Sequence, residues 1–151
     1  ATGEMLYTKF EFRDLLVRDA VDIVQPDICC AGGLLECKKI AAMAECYYAG
    51  VAPHNPLGPI SLAACLQLDA CIPNFLIQEQ SLGIHYNQGS DLLDYLVDPS
   101  VFAFEDGYVR RPTGAGLGIE VDEAAVRRAD ATGHDWTTPR WRHPDGGHAE
   151  W

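Results

Sequence analysis

Apolar positions along this chain follow two different rhythms. Residues 8–19 place Phe12, Leu15 and Leu16 on one face of a helical projection and Asp and Arg on the other, which predicts an amphipathic helix. Residues 34–49 repeat the helical period more strongly, with Gly50 placed to end that helix. Residues 60–71 are apolar nearly all round, the pattern of a helix packed tightly on a sheet. Between these stretches lie short β-rich runs at 21–25, 51–53 and 74–78. Strand and helix therefore alternate, and such alternation predicts βαβ units on a parallel sheet.

Beyond residue 90 the rhythm changes. Val101–Phe104 and Tyr108–Arg110 flank Glu105-Asp106-Gly107, a hairpin signal. Gly114, Gly116 and Gly118 sit in an irregular loop. No strand leads into them and the third glycine of a dinucleotide fingerprint is missing, so a phosphate loop is not supported. Residues 122–130 read as a short helix, and Trp136 to Trp151 as an irregular strap. The chain divides accordingly into 1–90, a partial barrel, and 91–151, an extension.

The β-rich runs share one property. Each ends on a polar side chain: Val24-Gln25-Pro26-Asp27, Val51-Ala52-Pro53-His54 and Leu76-Ile77-Gln78-Glu79. Glu4, after Gly3 at the start, is a fourth and weaker case. Parallel α/β barrels build active sites at the C-terminal ends of their strands. Neighbouring strands lie about 4.8 Å apart. An Asp27 carboxylate beside His54 can thus accept from one imidazole nitrogen, fix the tautomer and leave the other nitrogen as a general base. Glu79 has two roles open to it: hydrogen-bond donor if protonated, cation ligand if ionised.

Composition narrows the picture. The formal charge of −11 excludes a phosphate-backbone binder, so no nucleic-acid partner is expected. No apolar run is long enough to span a bilayer and no signal peptide is visible, so no membrane partner is expected either. The six cysteines form no CxxC pair and lie mostly in apolar helical patterns, which predicts small buried hydrophobes and a reducing, cytoplasmic setting. At 151 residues, with at most four strands, the chain is about half of an eight-stranded barrel.

Together, Thr2-Gly3-Glu4, Gln25-Pro26-Asp27, Ala31-Gly32-Gly33, Ala52-Pro53-His54 with Pro56-Leu57-Gly58-Pro59, and Ile77-Gln78-Glu79-Gln80 resemble the enolase superfamily, mandelate racemase subgroup. The tail, with Trp141-Arg142-His143, Asp145-Gly146 and Ala149-Glu150-Trp151, is similar too. The resemblance implies the C-terminal half of an enolase-type (β/α) barrel, with a hairpin and strap belonging to the capping region. It implies a Mg²⁺-dependent hydro-lyase for a small sugar acid, D-galactonate, giving 2-keto-3-deoxy-D-galactonate and water. His54 would take the α-proton, Asp27 would orient it, and Glu79 would hydrogen-bond the substrate carboxylate. Glu4 would be one Mg²⁺ ligand, the others lying upstream. The full-length protein would be a homo-oligomer, and the 151-residue chain alone would be inactive. Two alternatives stay open: another acid-sugar dehydratase or 2-hydroxyacid racemase of the superfamily, or an inactive truncated fragment. The chain departs from the family pattern at Cys29-Cys30 and at Asn55, where the resemblance implies a Ser-His pair and a Cys.

Overall fold

Four chain segments run side by side in the same direction. The computed structural model describes residues 1–82, 92–132 and 140–149. It pairs Thr2 with Val24, β1 (Ile23–Val24) with β2 (Gly50–Val51), and Val51 with Phe75, all in parallel register. The ladder bonds are Gln25 N–H to Thr2 O at 2.9 Å, Ala52 N–H to Val24 O at 3.1 Å and Leu76 N–H to Val51 O at 2.9 Å. The expected strands are thus in place but shorter: two residues each for β1 and β2, and one bridge at Phe75. Pro26 and Pro53 contribute to this, because neither has an N–H to donate to a ladder.

Parallel strands need crossovers, and helices supply them. α1 (Thr8–Val17) follows the Thr2 segment and buries Phe12 and Leu16. α2 (Gly33–Glu45) joins β1 to β2 and buries Cys37, Ile40, Ala41 and Ala44. α3 (Pro59–Asp69) joins β2 to the Phe75 segment. These residues form one core with Val24 and Val51. α2 is shorter than the periodicity predicts. It stops at Glu45, Tyr48 takes the positive φ (59°), and Gly50 opens β2 instead of capping the helix. The Gly50 N–H bonds to Asp22 O at 2.9 Å, so the sheet rather than the helix claims this stretch. The Asn74 amide nitrogen donates to Ala41 O and Ala49 O, both at 3.0 Å, and pins the end of α2 to the next strand.

The extension packs on the outside of α3. 3₁₀ turns at Leu92–Tyr95 and Pro99–Phe102 bring Leu96 and Phe102 against Leu62, Ala63 and Leu66. The second turn replaces the start of the expected strand, because the Asp98 carboxylate accepts the Ser100 N–H and nucleates a turn. The hairpin itself forms, with β3 (Phe104–Glu105) antiparallel to β4 (Tyr108–Val109). Asp106 and Gly107 both have positive φ, as a tight hairpin turn requires. α4 spans Glu123–Thr132, with Asp122 accepting the Ala125 N–H at 3.0 Å. In the tail, Arg142 and His148 pair as an antiparallel bridge. Trp136, Trp151 and the division placed at residue 90 lie outside the described residues. None of the described helices is long and apolar enough to cross a membrane.

The cysteines depart from expectation. Cys37 and Cys65 are buried, but Cys29, Cys30, Cys46 and Cys71 are exposed, and all six are free. Helical pattern alone marked them as buried, whereas Cys29 and Cys30 belong to the loop after Asp27 and Cys46 and Cys71 lie just past helix ends. Burial pushes the Cys37 thiol up to about 12 and raises Cys65 as well.

Asp69 is an oddity of the fold. It ends α3, its carboxylate oxygens are buried without a hydrogen-bond partner among the described residues, and burial pushes its pKa from 3.8 up to about 7. Because the folded-state pKa lies above the unfolded one, the fold favours the protonated acid. That contribution is complete below about pH 4 and is lost as pH rises to about 7. Asp69→Asn is therefore expected to stabilise the chain at pH 8 by about 2 kcal/mol, allowing for partial exposure. Urea titrations at pH 4 and pH 8 check this; an equal effect of the substitution at both values would show that Asp69 ionises without penalty.

Candidate active site

Asp27 is fixed by its own loop. It follows Pro26 at the end of β1 and is only 2% exposed. Its Oδ1 accepts the N–H of Cys29 at 2.7 Å and of Cys30 at 3.1 Å, turning the chain back over the carboxylate. This leaves Oδ2 facing the neighbouring strand, 2.9 Å from His54 Nδ1. Burial, Asp27 and Cys29 together raise the Cys30 thiol pKa.

His54 reaches this position because its strand end is in register with Asp27. The two residues form a parallel bridge, with the His54 N–H donating to Pro26 O at 3.2 Å. The side chain is 20% exposed. Its Nε2 lies 3.2 Å from Glu4 Oε2, and that carboxylate is 56% exposed. With both carboxylates ionised, both contacts are hydrogen bonds when the ring carries both its protons. Glu4 is presented from the first strand by Gly3, whose φ of 144° and tight surroundings admit no side chain.

Glu79 joins the group through backbone. Its Oε2 accepts the N–H of Asn55 at 2.9 Å, one residue past His54. Gln78 bridges the same two strand ends, donating from Nε2 to Pro53 O at 3.0 Å and to Glu79 O at 2.6 Å. The structure thus brings Glu4, Asp27 and His54 into direct contact and ties Glu79 beside them. Asn55 and Gln78 were not legible as site residues. Each acts through geometry that only the folded strand ends create; the available signals were their nearness in sequence to His54 and Glu79 and, for Asn55, its departure from the family pattern. The Asn55 side chain is fully buried, and neither of its polar atoms has a hydrogen-bond partner among the described residues.

The donors do not make a complete metal site. Among the described residues, no group of three or more His, Cys, Asp or Glu could hold an ion. Mg²⁺ wants near-octahedral oxygen coordination, and Glu4 is turned toward His54. What the arrangement can do unaided is hold an imidazole at the strand ends, with Nδ1 against a buried carboxylate that fixes its tautomer and Nε2 against the exposed Glu4. That is the geometry of a general base.

Comparison with known proteins identifies the family. A family model described as enolase C-terminal domain-like matches residues 1–125. A D-galactonate dehydratase of Xanthomonas axonopodis pv. citri is 52% identical over all 151 residues, as is one from Ralstonia nicotianae. In each case the chain covers 40% of the relative, so it spans well under half the length of the proteins it matches. Among solved structures, an enolase from Agrobacterium radiobacter, a candidate galactarate dehydratase with bound Na and L-malate, superposes with a TM-score of 0.79. It is 37% identical, over 97% of this chain and 38% of that one. A mandelate racemase/muconate lactonizing enzyme candidate from Labrenzia alexandrii gives a TM-score of 0.73 at 40% identity, over 83% of this chain and 31% of that one. The barrel-derived α/β architecture read from the strand–helix alternation is therefore the fold observed, and the chain belongs to the enolase C-terminal domain-like family.

Proposed function

We propose that this chain is the proton-abstracting part of an acid-sugar dehydratase acting on D-galactonate. The observation that carries the reading is the 2.9 Å contact between buried Asp27 Oδ2 and His54 Nδ1 at the mouth of the parallel sheet. His54 Nε2 takes the proton α to the substrate carboxylate. Asp27 holds the ring and stabilises the imidazolium as it forms. Glu79, when protonated, donates a hydrogen bond to the carboxylate as it becomes an enediolate, for which a neutral carboxylic acid is well suited. The electrons of the broken C–H bond then expel the β-hydroxyl, which leaves as water with one proton, and the enol product tautomerises to 2-keto-3-deoxy-D-galactonate. The names of the 52%-identical relatives support the substrate. The galactarate label on the Agrobacterium neighbour keeps a diacid sugar as a second reading.

In this proposal Glu4 supplies one oxygen to a Mg²⁺ site whose other ligands come from outside the chain. The group that protonates the leaving hydroxyl also comes from outside it. Incubation of the 151-residue chain with D-galactonate and Mg²⁺ is accordingly expected to give no 2-keto-3-deoxy-D-galactonate above the blank. A longer protein that ends in this chain and supplies the rest of the barrel is expected to form it. Product from the short chain would overturn the division of the site. A longer protein that turns over galactarate but not D-galactonate would overturn the substrate.

A further inference from the structure

Two adjacent cysteines stand beside the candidate base. Cys29 and Cys30 lie in the loop after Asp27, and both are free and exposed. Their N–H groups are the two that Asp27 Oδ1 accepts, at 2.7 Å and 3.1 Å. The Cys29 thiol donates to Ser61 Oγ on α3 at 3.4 Å. β1, which carries this loop, is paired on both sides within the chain, by Thr2 and by β2. The two thiols therefore do not stand at an open edge of the sheet. The other cysteines have no such neighbour in sequence: Cys37 and Cys65 are buried, and Cys46 and Cys71 are exposed past the ends of two different helices.

The shape of the pair favours some reactions over others. Adjacent Cα atoms stand about 3.8 Å apart across a trans peptide, closer than the roughly 4.4–6.8 Å of an ordinary disulfide. A direct S–S bond between Cys29 and Cys30 is therefore strained. One atom inserted between the sulfurs lengthens the bridge and relieves that strain. Such an atom has to bond sulfur strongly and need only two protein ligands. Zinc does not fit, because it takes four ligands in a structural site, and among the described residues no group of three or more His, Cys, Asp or Glu could hold an ion. Asp27 is already committed, with Oδ1 holding the loop and Oδ2 against His54. An arsenic(III) centre whose third valence is taken by carbon meets both conditions, since soft thiolate ligands suit soft atoms.

We propose that Cys29 and Cys30 form a two-thiol site for a monosubstituted trivalent arsenical, and that its occupation is transmitted to His54 through Asp27. The exchange balances without an oxidant. A monoaryl arsenic(III) dihydroxide brings two As–OH bonds. Each gives way to an As–S bond, each hydroxide leaves as water with one thiol proton, and arsenic stays trivalent. Burial, then the charge of Asp27, then Cys29 raise the Cys30 thiol pKa. Cys30 is thus held as the protonated thiol that this exchange consumes, rather than as the thiolate that attacks disulfides. Loss of the Cys29 proton ends its donation to Ser61. Closing the ring re-aims the two N–H groups that hold Asp27 Oδ1, and His54 Nδ1 lies 2.9 Å from the other oxygen of that carboxylate.

The test titrates the full, reduced 151-residue chain with phenylarsine oxide, which hydrates to such a dihydroxide. One phenylarsenic group per chain is expected, located by mass spectrometry on the peptide that carries Cys29 and Cys30. It should resist excess glutathione and be released by the dithiol dimercaptopropanol. Cys29→Ser and Cys30→Ser keep both N–H groups to Asp27 and the parent's circular dichroism, and each is expected to bind the reagent about tenfold or more weakly. Cys46→Ser and Cys71→Ser are expected to bind it as the parent does. The His54 ring signals, read by NMR, are expected to shift on binding in the parent and to stay in place in Cys29→Ser. Parent-like binding in both Cys29→Ser and Cys30→Ser, or an adduct on other cysteines, would overturn the site. Binding at Cys29 and Cys30 with an unmoved His54 ring would overturn its coupling to Asp27. Neither readout uses D-galactonate, so failure here is distinct from failure of the proposed reaction.

Discussion

Replacing His54 by Asn in a full-length protein carrying this chain is expected to lower kcat by roughly 10²–10⁴-fold, the contribution of a positioned general base, and to remove exchange of the α-proton with solvent deuterium. The expectation follows from geometry. His54 is held at both ends of its ring, by Asp27 at 2.9 Å and Glu4 at 3.2 Å, and its backbone is in register with Pro26. Asn keeps one hydrogen bond to Asp27 within reach but has no nitrogen able to take a proton. The fold should survive, because the side chain sits at the rim of the core rather than inside it. Asp27→Asn is a second probe of the same pair. The amide would still accept the Cys29 and Cys30 N–H groups through its oxygen, yet it would offer an N–H, rather than an acceptor, to His54 Nδ1. That reverses the tautomer and is expected to slow proton abstraction with little change in KM. Persistent α-deuteration in His54→Asn would remove the base assignment. Wild-type rates in Asp27→Asn would remove the dyad.

Gly3→Ala is expected to destabilise the chain by about 3 kcal/mol or more. Gly3 has a φ of 144°, where side chains are strained, and a Cβ there would stand 2.9 Å from both Gln25 N and Phe12 Cε1. Neither neighbour can retreat easily. Gln25 N–H is part of the ladder to Thr2 O, and Phe12 is fully buried in the core. The chain therefore has to move at Gly3, and Glu4 moves with it, away from His54 Nε2. Chemical denaturation measures the first effect. The ring proton shifts of His54, read by NMR in the same variant, measure the second. A variant as stable as the parent, with an unchanged His54 spectrum, would show that the backbone at Gly3 is free to relax.

The parts of the fold that were legible in the sequence are those set by local patterns. The helical period located α1, α2 and α3, and the β-rich runs located the three strands, because burial of one face is imposed residue by residue. The ends were less legible. Gly50 reads as a helix terminator, yet Gly50 pairs with Asp22 and Ile23, and Tyr48 takes the left-handed turn instead. A ladder partner far away in sequence decided that contest. The cysteines illustrate the same limit: pattern placed Cys37 and Cys65 correctly inside, but loop geometry put Cys29 and Cys30 outside.

The candidate site divides in the same way. Asp27, His54 and Glu79 are candidates by sequence alone, since each closes an apolar run and strand ends are where a parallel sheet presents chemistry, with Glu4 after Gly3 a weaker one. Their mutual arrangement was not. That Asp27 takes Nδ1 and Glu4 takes Nε2, that Glu79 hangs on the Asn55 N–H, and that Gln78 links the two strand ends are consequences of register and twist. The burial of the Asp69 carboxylate, without a hydrogen-bond partner among the described residues, is a tertiary result too: in sequence it is one acid at the end of an apolar helix. Residue type and local period determine which groups are available and on which elements they ride. Only the packing of strands distant in sequence determines which atoms meet, because hydrogen bonds and desolvation act over a few ångströms in space, whatever the separation along the chain.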